Sequence, residues 1–490
     1  MSLGQIVEII HSSELQEWKK RNEDALKAQF GGPQGRYPAA AAKAVQLRAP
    51  DMKGDSGVPF SAYIHPSNPT SGPYGGFSFV IFPSSNEPAL LGLVVGTQGL
   101  APDEAILGRP GHARKAQAIG AWLNREFGKG EQIAWTKQDP TRTDITVPDH
   151  IQRNWPGSKD AFNTYGNVMY ALFRPTSDRS VTLKAVAAFL DLMFEERGIR
   201  PNAPQREDSE KIRSRWFNHL MPQVDSKEVK ALLEQKRFVV IQGPPGTGKT
   251  TMALDMLADE YKGAGRTIQL HPNTTYETFI GGLSPDHSDQ VRGLQFRPKR
   301  GFLMQAAADA LKIQPKPYLL NIDEINRADL SKILGEAIYL LEANDIRKRE
   351  ISLPYNFEKP FDEKFSIPDN LYILGTMNSA DRSIAIVDVA IRRRFAFVSL
   401  WPQMSVVAKN GCGLMQHAFR ELIAIFVEYA QDDAFNLVPG HSYFLEKDES
   451  KAPVSLKVSL APLLEEYLAQ GYVGGFSEQI RSYLQWVHSL

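Results

Sequence analysis

One glycine-rich stretch constrains the fold of this chain more than any other. Residues 243–250 read GPPGTGKT. The preceding residues, 238–242, are mostly apolar and β-branched, which is typical of a buried parallel strand. The following residues, 251–258, contain no helix breaker and predict a helix. A strand, a glycine-rich loop and a helix in this order predict a phosphate-binding loop.

The residue types within the loop indicate how the phosphate would be held. Glycines allow backbone N–H groups to turn toward phosphate oxygens, and the start of the helix directs further N–H groups at the same anion. We expect Lys249 to reach the β- and γ-phosphates and the Thr250 hydroxyl to bind Mg²⁺. The predicted nucleotide-binding residues are Gly243, Pro244, Pro245, Gly246, Thr247, Gly248, Lys249, Thr250 and Thr251.

Two later apolar segments end in polar side chains that suit phosphoryl transfer. The first ends in Asp323 and Glu324. Phosphoryl transfer needs a carboxylate near the metal and a second polar group that orients water. We therefore predict that Asp323 joins Thr250 in holding Mg²⁺ and that Glu324 activates the attacking water. The second segment ends in Asn378, whose neutral amide suits the γ-phosphate or the lytic water, or else a simple turn.

Three consecutive arginines, Arg392, Arg393 and Arg394, follow a short helical pattern. Two interpretations stay open. They form a solvated basic helix end, where cations favour the helix dipole. Alternatively, one of them reaches the γ-phosphate held by a neighbouring subunit.

Composition limits the class of protein. A chain of 490 residues is too long for one core and suggests about three domains. Lys+Arg and Asp+Glu both number 56, so any DNA contact must come from a local patch or an oligomeric ring. The single cysteine, Cys412, excludes an internal disulfide and fits a reducing compartment. No signal-peptide pattern and no window of 18 apolar residues occur, so we expect a cytoplasmic protein without membrane contact.

The order of patterns predicts four segments: an α+β recognition domain over 1–198, a linker over 199–210, a three-layer α/β domain over 211–403 and a helical lid over 404–490. In the first, helices are expected at 5–30, 112–127 and 181–194, and strands at 77–82, 89–95 and 168–173. In the third, strands are expected at 238–242, 267–271, 317–322 and 371–376. The lid contains a β-like break at 439–444.

These stretches together resemble the AAA+ family, and within it the McrB-like, dynein-related branch. The resemblance covers about 235–470 and rests on GPPGTGKT, on NIDEINRADLSKILGEAIYLLE (321–342), on GTMNSADRSIAIVDVAIRRRFAFV (375–398) and on PGHSYFL (439–445). It implies a P-loop AAA+ three-layer sandwich with a C-terminal helical lid. It also implies a homo-oligomeric ring, usually of six subunits, with active sites at the subunit interfaces.

The resemblance also implies residue roles. Lys249 and Thr250 would belong to Walker A, Asp323 and Glu324 to Walker B, and Asn378 would be sensor 1. Asp381 and Arg382 would lie near the nucleotide in an MNxxDR motif. Arg393 and Arg394, beside Arg392, would belong to the arginine-finger stretch. Tyr276 and Phe279 would either face the central pore of the ring or pack in the core beneath the sheet. Residues 346–368 would form an inserted β-hairpin.

The functional hypothesis that follows is an NTP-hydrolysing ring motor of a modification-dependent restriction or anti-phage system. It would act on DNA with a separate nuclease partner, since no nuclease motif is recognised in this chain. Residues 60–130 resemble the N-terminal domain often fused to such NTPases, which implies a recognition module. In the domain over 1–198, Trp122, Trp135 and Trp155 either stack a flipped base or pack in the core. Two alternatives are a MoxR-like chaperone that remodels a protein client and a nucleotide-gated scaffold. McrB-like proteins favour GTP, whereas the wider family favours ATP.

Overall fold

The computed structural model describes residues 2–12, 18–50, 58–69, 71–84, 87–285, 295–342, 349–380 and 388–490. The chain divides into two compact units. Unit 1 comprises Met1–Met221 and Val427–Gln431, and unit 2 comprises Pro222–Phe426 and Asp432–Leu490.

Unit 1 contains a six-stranded antiparallel sheet with the order β1-β2-β3-β4-β6-β5. The strands are β1 Gln46–Arg48, β2 Ser61–Ile64, β3 Phe77–Phe82, β4 Leu90–Val95, β5 Ala134–Thr136 and β6 Met169–Phe173. All residues of β3 and β4 are buried, which explains why their apolar patterns were recognisable in the sequence. Three short strands, β1, β2 and β5, were not predicted.

The helices of unit 1 are α1 Ser2–Ile10, α2 Trp18–Lys27, α3 Glu104–Leu107, α4 Pro110–Phe127, α5 Asp149–Asn154, α6 Lys159–Tyr165, α7 Arg179–Glu195 and α8 Ala203–Leu220. Helices α4 and α7 match the predicted helices closely. The helix predicted over 5–30 is instead divided into α1 and α2, with 13–17 outside the described residues.

The predicted linker over 199–210 is wrong. Helix α8 begins at Ala203, and its Ile212 and Trp216 pack in the hydrophobic core of unit 1. The division between the units falls at Met221 and Pro222 instead. The polar, proline-containing start of this segment was mistaken for a linker because a proline is also well tolerated in the first turn of a helix.

The tryptophans considered for base stacking lie in the core of unit 1. Trp122 and Trp155 are 0% exposed and Trp135 is 9% exposed. A side chain without an exposed face cannot stack on a base from outside, so the core interpretation holds for these residues.

Unit 2 is built on a five-stranded parallel sheet with the order β15-β7-β14-β11-β8. The strands of unit 2 are β7 Phe238–Gly243, β8 Gly265–Gln269, β9 Gly281–Pro285, β10 Phe296–Arg300, β11 Tyr318–Asp323, β12 Ile351–Ser352, β13 Lys364–Phe365, β14 Leu371–Asn378 and β15 Ala396–Ser399. The four predicted sheet strands are confirmed with shifts of a few residues. The fifth strand, β15, was not predicted, because its four residues are half-buried and carry no strong pattern.

The helices of unit 2 are α9 Ser226–Lys236, α10 Lys249–Asp255, α11 Tyr276–Phe279, α12 Phe302–Ile313, α13 Leu330–Leu334, α14 Val389–Arg392, α15 Met404–Asn410, α16 Gly413–Tyr429 (whose residues from Val427 onward belong to unit 1), α17 Asp432–Phe435, α18 Ala452–Ser455, α19 Ala461–Ala469 and α20 Ser477–Ser489. Alternate residues of β7 enter two different hydrophobic clusters: Phe238 and Val240 belong to one, Val239 and Ile241 to the other. Because successive side chains of a strand point to opposite faces, both faces of the sheet are covered. The α/β three-layer arrangement is confirmed.

Two small hairpins interrupt this pattern. Strand β9 pairs antiparallel with β10, and β12 pairs antiparallel with β13. The second pair confirms the hairpin predicted over 346–368, of which 346–348 lie outside the described residues.

Phe279 is 2% exposed and packs in the core, so the pore interpretation is wrong for it. The Tyr276 hydroxyl donates to Glu336 Oε1 at 2.8 Å.

The last part of unit 2, from α15 onward, is helical as predicted. Its β-like break is instead a 3₁₀ turn over His441–Phe444. Across the described residues, the structure contains no helix with the length and apolar character needed to cross a membrane.

Candidate active site

The parallel sheet brings the predicted site residues to one edge. Strand register pairs Asn378 with Gly243 and Ile322 with Gly375. The carboxyl ends of β7, β11 and β14 therefore lie side by side. Ligands of parallel α/β sheets bind beyond these carboxyl ends, where the loop after β7 and the polar ends of β11 and β14 meet.

The phosphate-binding loop depends on two glycines with left-handed backbone angles. Gly246 has φ 78° and Gly248 has φ 79°, a region that side-chain-bearing residues rarely adopt. Helix α10 then begins at Lys249. The Lys249 ammonium donates to Gly243 O at 3.0 Å and to Pro244 O at 2.7 Å. The loop thus folds around its own lysine.

The Lys249 side chain carries an unusually acidic ammonium group. It is 7% exposed, and burial lowers its pKa to about 8. The negative charges of Glu324 and Asp323 offset part of this effect. A phosphate anion beside the ammonium would raise the pKa again, so the binding of a nucleotide is coupled to protonation of this lysine.

The predicted magnesium ligands are adjacent. Thr250 Oγ1 donates to Asp323 Oδ1 at 2.9 Å, and the Thr376 hydroxyl donates to the same carboxylate oxygen. Within the described ranges, no group of three or more His, Cys, Asp or Glu side chains could hold a metal by itself. A hydroxyl and one carboxylate fit Mg²⁺, which keeps waters and takes phosphate oxygens as further ligands.

Glu324 is held in a strained conformation directly after Asp323. Its φ of 52° lies in the left-handed region, at a cost of ~1–3 kcal/mol for a residue with a side chain. Its N–H donates to Thr376 Oγ1 at 3.2 Å, and Asn378 Nδ2 donates to its Oε1 at 2.9 Å. The first contact holds the backbone of Glu324, and the second fixes the direction in which its carboxylate points.

The second oxygen of Glu324 remains available for chemistry. Glu324 Oε2 is buried and accepts no hydrogen bond from the part of the chain that the structure describes. Arg327 Nε lies 3.4 Å from it, close enough for an ion pair. A buried polar atom without a hydrogen-bond partner is rare in folded proteins, and a catalytic role is one of the reasons for which it is retained.

The lid segment 439–444 contacts the phosphate-binding loop directly. Gly440 N donates to Pro245 O at 2.9 Å, and Ser442 N donates to Gly246 O at 3.0 Å. His441, 8% exposed, lies between them, and its Nδ1 accepts a hydrogen bond from Gln403 N at 3.3 Å. Burial lowers the pKa of His441, so the neutral imidazole is favoured.

The three arginines have different surroundings. Arg392 stacks 5.2 Å above the Phe397 ring. Arg394 Nη1 donates to Ala390 O at 2.9 Å, and its Nε lies 3.9 Å from Glu342 Oε2. Arg393 is exposed. Of the three, Arg393 is therefore best placed to reach a neighbouring molecule.

Three contributors to this site were not predicted from the sequence. Thr376 lies inside the recognised strand but has no motif role of its own. Arg327 lies within the stretch 321–342, but no role was predicted for it. Gly440 lies within the stretch 439–445, whose contact with the loop is visible only in three dimensions. Two predicted residues, Asp381 and Arg382, lie outside the described residues.

Comparisons with known proteins agree with this geometry. Residues 238–395 match the family described as AAA domain (dynein-related subfamily). The chain is 34% identical over 271 residues to the Type IV methyl-directed restriction enzyme EcoKMcrB subunit of Escherichia coli (strain K12), covering 50% of this chain and 57% of that protein. It is 26% identical over 191 residues to the Type II restriction enzyme BsuMI component YdiS of Bacillus subtilis (strain 168), covering 32% of this chain and 55% of that protein.

The chain thus spans about half the length of these curated relatives. The family match falls on the parallel sheet and includes the phosphate-binding loop, Asp323, Glu324 and Asn378. Residues 238–395 therefore form an AAA domain of the dynein-related subfamily, and the chain is similar to restriction-enzyme components over about half of their length.

Proposed function

We propose that this chain is the NTP-hydrolysing ring subunit of a restriction or anti-phage system that acts on DNA together with a separate nuclease. Hydrolysis is supported by one observation: Asn378 orients the carboxylate of Glu324, and Thr376 holds the backbone of Glu324, beside the strand that leads into the phosphate-binding loop. The role in a restriction system is supported by the names of the similar proteins.

Hydrolysis is assigned to groups with distinct tasks. Lys249 and the N–H groups of the loop hold the phosphates. Thr250 and Asp323 would hold Mg²⁺, which would supply positive charge beside the phosphate oxygens. Glu324 Oε2 accepts a proton from the attacking water, and Asn378 keeps this carboxylate in position. Arg327 pairs with the charged carboxylate of Glu324 before it takes up this proton.

The site is completed by a second copy of the chain. Phosphoryl transfer gains on the order of 10³–10⁵ in rate from an arginine that neutralises the transition-state charge. Arg392 and Arg393 are both exposed, but Arg392 stacks on Phe397 and the half-buried Arg394 donates to Ala390 O. We assign the trans-acting role to Arg393, which requires oligomerisation, and a six-membered ring is the arrangement that the family resemblance favours.

The partner and the target follow from the relatives. One is named as a subunit of a methyl-directed restriction enzyme, the other as a component of a restriction enzyme. A subunit or component acts with other chains, and restriction enzymes act on DNA. DNA is therefore proposed as the target that unit 1 recognises, and a separate chain as the nuclease. ATP and GTP both remain candidate substrates.

Turnover in the presence of DNA tests this proposal. Phosphate release from ATP and GTP would be measured for the full chain with Mg²⁺, alone and with methylated or unmethylated duplex DNA. We expect hydrolysis that DNA changes in rate, without DNA cleavage by this chain alone. Lys249→Ala, which lacks the phosphate-binding ammonium, controls for contaminating NTPases. Hydrolysis that no DNA alters would contradict the DNA target and favour a chaperone that acts on a protein client.

A further inference from the structure

Helix α16 is divided between the two units. Its residues up to Phe426 belong to unit 2, whereas Val427–Gln431, which include the end of the helix at Tyr429, belong to unit 1. After Gly413 the helix contains neither glycine nor proline, residues at which helices bend sharply. Its backbone hydrogen bonds run from one end to the other, so a displacement of one end is passed to the other end.

The unit 2 part of α16 packs on the segment that touches the phosphate-binding loop. The ring centroids of Phe419 and Phe444 lie 5.2 Å apart, with the ring planes at 76°, and both side chains are buried. Phe444 ends the 3₁₀ turn that begins at His441, and Ser442 N within this turn donates to Gly246 O of the loop. The position of α16 is therefore tied to the position of the loop through one buried aromatic pair.

Unit 1 holds the end of α16 by its backbone. Arg114 of helix α4 donates from Nη1 to Val427 O at 2.8 Å and from Nη2 to Ala430 O at 2.6 Å. The last carbonyl groups of a helix lack partners within the helix, and a cation beside them also opposes the negative end of the helix dipole. At Gly111, in the first turn of α4, a Cβ atom would lie 2.5 Å from Glu428 Cα. The two helices thus meet backbone to backbone.

A buried group of ion pairs holds the same end by a side chain. Lys115 Nζ lies 2.6 Å from Glu428 Oε1 and 2.7 Å from Glu196 Oε1, and the side chains of Lys115 and Glu196 are 3% and 1% exposed. Arg109 pairs with Glu196 and lies 3.8 Å from Glu428 Oε2. Burial alone would lower the pKa of Lys115, but the charges of Glu196 and Glu428 outweigh it and raise this pKa. Moving Glu428 away would leave the group with an excess of buried positive charge, which is unfavourable.

We propose that α16 couples the nucleotide state of the phosphate-binding loop to helix α4 of unit 1. A bound nucleotide fixes the loop and the turn that rests on it, Phe444 passes this state to α16, and Glu428 passes it to α4. Coupling between two sites is reciprocal, so a target bound by unit 1 changes the nucleotide affinity in return. This inference rests on the nucleotide binding that the proposed function assigns to unit 2, and it does not depend on DNA as the target.

Hydrogen–deuterium exchange of the full chain, followed by mass spectrometry of its peptides, tests the proposal. Exchange over 110–127, the residues of α4, would be measured without nucleotide and with non-hydrolysable analogues of ATP and GTP at one Mg²⁺ concentration. We expect exchange at the start of α4 to slow by at least about fivefold when an analogue binds, the lower end of the usual range for coupling between two sites.

Matched variants separate the anchor from general effects. Gly111→Ala places a methyl group against the backbone of Glu428 and should remove the slowing, whereas Gly4→Ala, where a Cβ atom meets nothing within 4 Å, should keep it. Glu428→Ala takes a carboxylate out of the buried ion pairs and should also remove the slowing. Glu421→Ala takes one from an exposed position on the same helix and should keep it. Melting curves and the Kd for the analogue report that each variant is folded and binds nucleotide.

The outcomes distinguish this inference from the proposed function. If the wild-type chain binds an analogue and α4 exchanges at the same rate with and without it, the coupling is wrong and nucleotide binding stands. If neither analogue binds, the nucleotide assignment fails and the coupling fails with it. Equal slowing in the wild type and in folded Gly111→Ala and Glu428→Ala proteins would also overturn the proposal, because the end of α16 would then have no part in the effect.

Discussion

Replacing Gly440 by alanine is expected to weaken nucleotide binding, because this glycine touches the phosphate-binding loop. A Cβ atom at Gly440 would lie 2.0 Å from Gly246 C and 2.1 Å from Gly246 O. Both are backbone atoms, which cannot move aside as a flexible side chain can. The φ of −69° at Gly440 is acceptable for alanine, so the clash alone drives the effect.

The magnitude follows from the contacts that the clash breaks. If the lid segment moves away, the hydrogen bonds from Gly440 N to Pro245 O and from Ser442 N to Gly246 O are lost. Each contributes about 0.5–1.5 kcal/mol, so together they stabilise the loop by about 1–3 kcal/mol. If nucleotide binding requires the supported loop, Kd should rise by roughly 5- to 140-fold.

Titration with a fluorescent nucleotide analogue at fixed Mg²⁺ concentration measures this change. Gly474→Ala is the matched control, because a Cβ atom at Gly474, in the same helical region, meets nothing within 4 Å. Melting curves identify a variant that fails to fold. A folded Gly440→Ala protein with the same Kd as Gly474→Ala and the wild type would refute the idea that the lid supports the loop.

Three further predictions concern the same site. Burial lowers the pKa of Lys249 to about 8, and only the charged ammonium attracts phosphate. The nucleotide Kd should therefore rise above pH 8, by up to about tenfold per pH unit. A nucleotide Kd that is constant from pH 7 to 10 would contradict this. Thr376→Val should lower kcat and leave nucleotide Kd nearly unchanged, because the hydroxyl's hydrogen bonds go to Asp323 and to the backbone of Glu324. Steady-state kinetics measure kcat, and equilibrium titration measures Kd. Arg393→Ala should abolish turnover, and mixing it with Lys249→Ala protein should restore part of the activity in a concentration-dependent way; no restoration at any concentration would exclude a shared site.

The sequence was sufficient for the parts of the site that lie on long apolar strands. The segments that became β7, β11 and β14 are recognisable because parallel strands buried on both faces are continuous apolar runs. Asp323, Glu324 and Asn378 were placed correctly at their carboxyl ends, since the motif spacing leaves no other position for them. Their mutual hydrogen bonds could not be predicted, because these depend on the left-handed conformation of Glu324.

Features that depend on tertiary packing were not predictable. The polar start of helix α8 resembles a linker until Ile212 and Trp216 are seen in the core of unit 1. The contact of Gly440 with Gly246 joins residues almost two hundred positions apart, which no local pattern encodes. The same reason applies to the contact of Arg114 with Val427, which joins separate segments of the chain.

Phosphate release and nucleotide binding, measured together for Glu324→Gln, separate the hydrolytic role of this residue from the binding role of the loop. Binding of ATP and GTP should match the wild type, because Lys249 and the loop are intact. Turnover should fall by on the order of 10²–10⁴, the usual contribution of a general base. Glu465→Gln, an exposed substitution in the lid, should leave both unchanged. A Glu324→Gln protein that hydrolyses nucleotide at the wild-type rate would contradict the assignment of this site.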